Sequence, residues 1–257
     1  MSDALIAPVP PARVAHLLAP AAPRTSSARS SRVSGERAHG PLPLLLIGLT
    51  IVSGLVDAFS YLTLGHVFVA NMTGNVVFVG FGLAGTGGIS LVSSLVAVFA
   101  FALGAAAGGR WSLRRAPHRG HLLAVAAAVQ MGLVVAAAIV AVPAGSDDLE
   151  ARLVLIVLLA VAMGGQNAVA RRLAVPNLTT TVLTLTVTGL VADAMTSQAR
   201  LRRVVPVAAM LVGALAGGAL VRWVSTSAPL WLAAALLAAV VVVVHVATHR
   251  PQADAWH

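Results

Sequence analysis

Cysteine is absent from this chain, which excludes disulfides, thiolate nucleophiles and any metal or iron–sulfur site built on sulfur. Lysine is absent too: all 17 basic residues are arginine, a composition bias that carries no chemistry of its own. Acids number only eight. No His-Glu-x-x-His, no Gly-x-Ser-x-Gly and no carboxylate pair suited to acid–base work occurs, so no metal site and no cofactor is expected. Charged residues make up 10% of the 257, and hydrophobic residues 58%. Stretches such as Leu122 to Val142 and Leu230 to Val246 hold no Asp, Glu or Arg. About 18 apolar residues cross a bilayer core, so an all-α integral membrane protein is predicted and the lipid bilayer is its first partner.

The net charge of +9 does not point to nucleic acid, because the arginines sit in loops and tails and not along one face with interleaved aromatics. Residues 1–40 are rich in Ala, Pro, Ser and Arg and lack the apolar core of a secretory signal. They read as a disordered Arg-rich cytoplasmic tail. An organellar transit peptide shares that composition, but Pro8, Pro10 and Pro11 interrupt any amphipathic helix there.

Two polar motifs stand in this apolar chain, "ANMTGNVV" from Ala70 and "PNLTTTVL" from Pro176. Aligned on them, "SGLVDAFS" from Ser53 matches "MGGQNAVA" from Met163, which pairs Gly54 with Gly164 and Asp57 with Asn167. Downstream, "LGAAAGG" from Leu103 matches "VGALAGG" from Val212. The chain therefore divides into a tail (1–40), a first membrane repeat (41–143), an acidic outer loop (144–151), a second membrane repeat (152–248) and a cytoplasmic tail (249–257). Each repeat holds a helix, an Asn-Thr element, a Gly-x-x-x-Gly helix and a plain apolar helix. The glycine pairs suit internal packing as well as homo-oligomerisation.

Cytoplasmic loops collect arginine, so counting arginines tests the path of the Asn-Thr elements. If all eight segments cross with the N-terminus inside, Arg110, Arg114, Arg115, Arg119, Arg171, Arg172 and Arg222 fall outside, ten against seven. If both Asn-Thr elements dip and return, only Arg152 and Arg222 fall outside, fifteen against two, and Asp147, Asp148 and Glu150 join them. The second arrangement is predicted: six crossing helices plus two re-entrant or discontinuous Asn-Thr half-helices. Three crossings per repeat turn the second repeat upside down, an inverted internal repeat. Gly65 to Ala70, extended at ~3.3 Å per residue, would reach roughly 20 Å, past the middle of a ~30 Å core. A helix from Asn71 to Ala84 would climb back and stop in the glycines at 85, 87 and 88. A broken helix that crosses fully is the alternative.

Irregular backbone at that depth is tolerated only inside protein or beside a watery cavity. Asn71, Thr73, Asn177 and Thr179 are types that cap helix N-termini. Two half-helices opening at similar depth from opposite sides would aim partial positive charge and free N–H groups at one region. Asn75, Thr180 and Thr181 add uncharged donors and acceptors. This points to a small neutral or anionic solute. The ordinary reading of the Thr face, hydrogen bonding between helices, stands beside it. Asp57 is the only carboxylate between Pro41 and Gly109 and sits in mid-helix, where a charge costs about 2.5–3.5 kcal/mol, so it is a candidate coupling or binding residue. Its mate Asn167, next to Gln166, is neutral, and a purely structural Asp is the alternative. His66 reads as interfacial, and Arg171 and Arg172 as helix-end anchors.

The stretches "GLVDAFSYLTLGHVFVANMTGNVVFVGFGLAG" and "AMGGQNAVARRLAVPNLTTTVLTLTVTGLVAD" resemble the two most characteristic parts of the YoaK family, bacterial inner-membrane proteins of unknown function usually counted as having six transmembrane segments. The likeness covers roughly residues 42 to 248 and implies a small polytopic protein of a bacterial cytoplasmic membrane; the arginine count puts both termini inside. It supplies no substrate and no catalytic residue. The layout is also similar to aquaporins in architecture alone, since "NMT" and "NLT" are not Asn-Pro-Ala. Function is thus expected to be a channel or secondary transporter with its site between the two motifs. An intramembrane enzyme using Asp57 or a hydroxyl, and a non-transporting membrane partner or sensor, are the alternatives, and no enzyme is expected.

Overall fold

The computed structural model describes residues 42–86, 88, 90–114, 119–142, 148–173 and 197–248. Both tails lie outside these residues. So does the second Asn-Thr element with Asn177, Thr179, Thr180 and Thr181. Among the described residues there are seven helices and no strand: α1 (Leu42–Thr63), α2 (Met72–Leu83), α3 (Leu91–Arg114), α4 (Arg119–Ala141), α5 (Leu149–Leu173), α6 (Ser197–Trp223) and α7 (Ala228–Thr248). All but α2 are long and apolar enough to cross a bilayer. Helix is the form these apolar stretches can take in hydrocarbon, because it satisfies its own N–H and C=O groups. The ends follow local rules. Gly65 (φ 84°) and Gly85 (φ 72°) close α1 and α2 in the left-handed region. Glu150 stands in the first turn of α5 and Arg171 and Arg172 in its last, matching the helix dipole at both ends.

The helices α1 and α5 form the centre: 67% and 56% of their apolar stretches are buried, against 22–33% for the other four spans. Helix α1 packs on α6 and α7, and α5 on α3 and α4; α4 meets α7, and α2 lies on α3. Lipid tails are as apolar as leucine, so close backbone approach through small residues must hold such helices together. That is where the glycines fall. A methyl group on Gly54 would overlap Met210 O of α6, and one on Gly213 would overlap Ile51 O of α1. In the other pair, a methyl on Gly164 would overlap Phe101 O of α3, and one on Gly104 would overlap Val161 O of α5. Gly217 lies against Leu55 and Ala58, as Gly108 lies against Gly165. The two sets of contacts correspond to one another under the register of the two repeats, which pairs Gly54 with Gly164 and Gly104 with Gly213. Within each pair the residue numbers rise together, so the two helices run parallel.

A second contact sets the direction of the central pair. A methyl on Gly65, just past α1, would come within 3.3 Å of the Arg152 guanidinium, in the first turn of α5. Helix α1 therefore arrives at the end of the bundle from which α5 departs, and the two central helices are antiparallel.

Replacing Gly54 or Gly164 by Leu must push two backbones apart, and overpacking of this kind costs about 1–3 kcal/mol or more. Gly109 and Gly132 have nothing within 4 Å of an added methyl. Thermal unfolding of detergent-solubilised protein is expected to show a strongly lowered midpoint for Gly54→Leu and Gly164→Leu, and none for Gly109→Ala or Gly132→Ala.

Candidate functional site

Beyond Thr63 the chain reverses. Leu64 N–H donates to Ser60 O and His66 N–H to Tyr61 O, and both Gly65 and His66 (φ 59°) take left-handed backbone. Histidine is one of the few side chains found there with any frequency. The next four residues, 67–70, are not helical, and they run back beside α1. Their backbone groups are claimed one by one. Phe68 N–H donates to Asn75 Oδ1 (3.0 Å), and Asn75 Nδ2 donates back to Phe68 O (2.6 Å). Val69 N–H (3.0 Å) and Ala70 N–H (2.8 Å) both donate to Asp57 Oδ1. Asp57 is 4% exposed and Asn75 fully buried. Without these two side chains, three consecutive buried or half-buried N–H groups would lack partners, at about 1–3 kcal/mol each.

The return is shorter than a fully extended Gly65–Ala70 would give, because Gly65 and His66 are spent in the reversal and only four residues, ~13 Å at most, run back. Asp57 marks the depth reached. It lies six residues before Thr63, roughly 9 Å along α1, whereas the middle of this 22-residue helix is roughly 16 Å in. The element therefore turns short of the helix midpoint.

Asn71 occupies the N-cap position of α2, as its type predicts, but its side chain makes no capping hydrogen bond; it and Thr73 are exposed. Asn75 is turned the other way, into the backbone of Phe68. The two asparagines thus divide the labour, one presented and one holding. Gly74 makes room for an aromatic ring, since a methyl there would come within 2.8 Å of Phe68. That ring stacks on Tyr61 (4.9 Å) and Phe78 (5.8 Å), and Tyr61 meets His66 edge-on at 5.1 Å. This short aromatic stack bridges the end of α1, the return segment and α2.

Gln166 stands apart from this element. Its Nε2 donates to Ser53 Oγ (3.0 Å) and Leu49 O (3.4 Å) on α1, while its Oε1 accepts from Gln130 Nε2 of α4. Asn167 Nδ2 donates to Met163 O, one turn back in α5. The structure therefore gathers Asp57, Asn71, Thr73 and Asn75 at one element, and Gln166 at a separate interhelical network. No motif marks Gln130, and Ser53 enters the sequence reading only as the first residue of a repeat stretch. Gln130 is the sole amide in the run Leu122 to Val142, and that isolation is the signal that could have found it. Among the described residues no cluster of three or more His, Asp or Glu could hold a metal ion.

A family model described as "Protein of unknown function (DUF1275)" matches residues 45–243. The chain is also 34% identical over 152 residues to "UPF0700 transmembrane protein YoaK" of Bacillus subtilis (strain 168), covering 58% of this chain and 65% of that protein. The matched region thus spans a little under two thirds of that relative's length. No solved structure matches.

Because Asp57 Oδ1 receives two backbone N–H groups, Asp57→Ala is expected to lower stability by about 2–4 kcal/mol, while Asp57→Asn, which keeps the acceptor oxygen, loses much less. Asn75→Leu should resemble Asp57→Ala. Thermal unfolding and protease sensitivity of the 65–71 segment in detergent check all three.

Proposed function

Starting from a chain that belongs to the YoaK-like DUF1275 family, whose activity its description leaves open, we propose a membrane channel or secondary transporter for a small neutral or anionic solute. The observation that carries this reading is the 65–71 segment, the one stretch of non-helical backbone among the described residues that runs back alongside a membrane-crossing helix. A polypeptide gains nothing in stability from leaving helical form in hydrocarbon. Such elements recur where a solute path needs donors and acceptors at depth.

In this reading the first Asn-Thr element dips from the outer side and returns. The antiparallel run of α1 and α5 supports it, since an even number of crossings, α3 and α4, then lies between them. A third crossing, by α2, would make them parallel. The matched glycine contacts of α1 with α6 and of α5 with α3 support two halves of like build, the second inverted relative to the first. By the sequence repeat, Asn177, Thr179, Thr180 and Thr181, which lie outside the described residues, are the counterparts of the Asn71 motif. The solute meets Asn71, Thr73 and the first free N–H groups of α2 on one side of the path and the Thr-rich element on the other. Asp57 and Asn75 position the first element; Asn167, the neutral mate of Asp57, has the corresponding place in the second. The arginine distribution and the bacterial relative support the cytoplasmic membrane, with both termini inside.

Asn71 is exposed and its side chain bears no capping bond, so Asn71→Leu leaves the fold intact and removes only what faces the path. Proteoliposomes carrying the wild-type chain, shocked in turn with glycerol, urea and formate, should re-swell faster than empty liposomes with at least one of these solutes. For that solute Asn71→Leu should lower the rate by about tenfold, the worth of one well-placed hydrogen bond. Rates equal to those of empty liposomes for all three, or an Asn71→Leu rate equal to wild type, would remove the reading.

A further inference from the structure

A cavity of about 260 Å³ lies between α3, α4 and α5, away from the Asn-Thr element, and what it holds is independent of the solute path proposed for that element. Its wall is apolar apart from two buried amides, Gln130 (3% exposed) and Gln166 (4% exposed), and the indole of Trp111, whose N–H can donate but not accept. Helices α3 and α4 both pack on α5 but scarcely touch each other, and the cavity opens outward between them past Val129 (59% exposed). Gln130 is the central residue of α4, so the opening faces the middle of the hydrocarbon layer.

The lining of this cavity differs from the matching places in the other half. Along α5 it is lined by Gly165, Gln166 and Val169; the repeat register puts Leu55, Val56 and Phe59 at the same places on α1, each at most 1% exposed. Helices α6 and α7, the counterparts of α3 and α4, are in contact. The mate of Gln130, counted from the equivalent helix starts Arg119 and Ala228, is Ala239. Where α1 presents Leu55, Val56 and Phe59, all buried, α5 presents Gly165, Gln166 and Val169 along the cavity, and α4 adds Gln130.

The hydrogen bonds determine which way those glutamines face. Ser53 Oγ donates its one proton to Leu49 O (3.1 Å), so it can only accept from Gln166, which must present its Nε2. Gln166 Oε1 is thereby turned to Gln130, which must donate through its own Nε2. This leaves Gln130 Oε1 at the end of the chain of bonds. Among the described residues no group donates to it, and it is not one of the sealed oxygens without a partner, so it borders the cavity. A bonded amide is a better acceptor for having already donated. The void therefore offers one oriented side-chain acceptor in a mostly apolar wall, in a medium where no water competes.

We infer that this cavity is a binding site for a small lipophilic molecule bearing one hydroxyl group, entering sideways from the bilayer and donating to Gln130 Oε1. The volume is that of roughly nine waters of the liquid, enough for a two-ring or short-chain body and too small for a phospholipid. An acyl chain fills such a space without using the acceptor; an alcohol or phenol uses both wall and acceptor.

The test uses the full-length protein in phosphatidylethanolamine–phosphatidylglycerol nanodiscs and two photoreactive probes that differ by one hydroxyl, 4-hydroxybenzophenone and benzophenone, with cross-links mapped by mass spectrometry. The expected result is cross-linking by 4-hydroxybenzophenone concentrated on Val129, Val161 and Val169, exceeding that of benzophenone by about tenfold, the worth of one buried hydrogen bond. Gln130→Leu should bring the two probes level, and Gly165→Leu, which installs the residue found at the matching place on α1, should abolish labelling there. Should Gly165→Leu fail to fold, the comparison of the two probes on the wild-type chain decides. Equal labelling by both probes, spread over the outward faces of α3, α4, α6 and α7, would mean that lipid chains alone fill the space and would overturn the inference. A hydroxyl preference that survives Gln130→Leu would overturn it as well.

Discussion

Hydrocarbon offers a polypeptide no hydrogen-bond partners, so any residue that leaves helical form within the bilayer must find them in the protein itself. In this chain Phe68, Val69 and Ala70 leave helical form, and their N–H groups are met by two side chains, Asp57 from the helix before and Asn75 from the helix after. Much else follows from that arrangement. The return segment is pinned to α1, the start of α2 is held at the depth of Asp57, and Asn71 is released from capping and presented outward. Gly74 admits the Phe68 ring, and the stack with Tyr61 and Phe78 closes the element over its own backbone bonds. An aspartate buried in an apolar helix, costly by itself, is stable here because it serves as the acceptor that this backbone lacks.

The second constraint is close approach. With no hydrophobic difference between side chain and lipid to drive assembly, α1 meets α6 and α5 meets α3 through glycines whose hydrogens touch the opposing backbone. The same positions recur in both halves, so the central pair is braced twice in the same manner. Where the halves differ, the difference is chemical: Asp57 against Asn167, Val56 against Gln166, Phe59 against Val169. Two-fold likeness supplies the frame, and departures from it supply the places where function can reside.

Much of the frame was legible in the sequence because it rests on patterns longer than noise. Six apolar stretches, the doubled Gly-x-x-x-Gly and the span of α2 between Asn71 and the glycines at 85 and 88 all emerge from hydropathy, spacing and turn chemistry. The depth of the return did not. It depends on Gly65 and His66 entering the left-handed region, which a count of residues treats as two more extended steps. The roles of Asp57 and Asn75 were hidden for a related reason: a side chain that will accept from backbone twelve or seven residues away has the same composition signal as one reserved for a ligand. Gln130 escaped because its partner lies 36 residues on, and no local pattern joins them.

The layout of the bundle and the proposed solute path both turn on whether the element from Gly65 to Thr86 enters and leaves on one side. The absence of cysteine makes single-cysteine labelling of intact cells direct. Thr86, just after α2, and Glu150, in the first turn of α5, are exposed, as is Arg114 at the far end of α3. A membrane-impermeant thiol reagent is expected to label Thr86→Cys and Glu150→Cys from outside and to reach Arg114→Cys only after the cells are opened. Labelling of Arg114→Cys in intact cells, with Thr86→Cys protected until lysis, would mean that α2 crosses completely, and the re-entrant element with its inverted repeat would have to be given up.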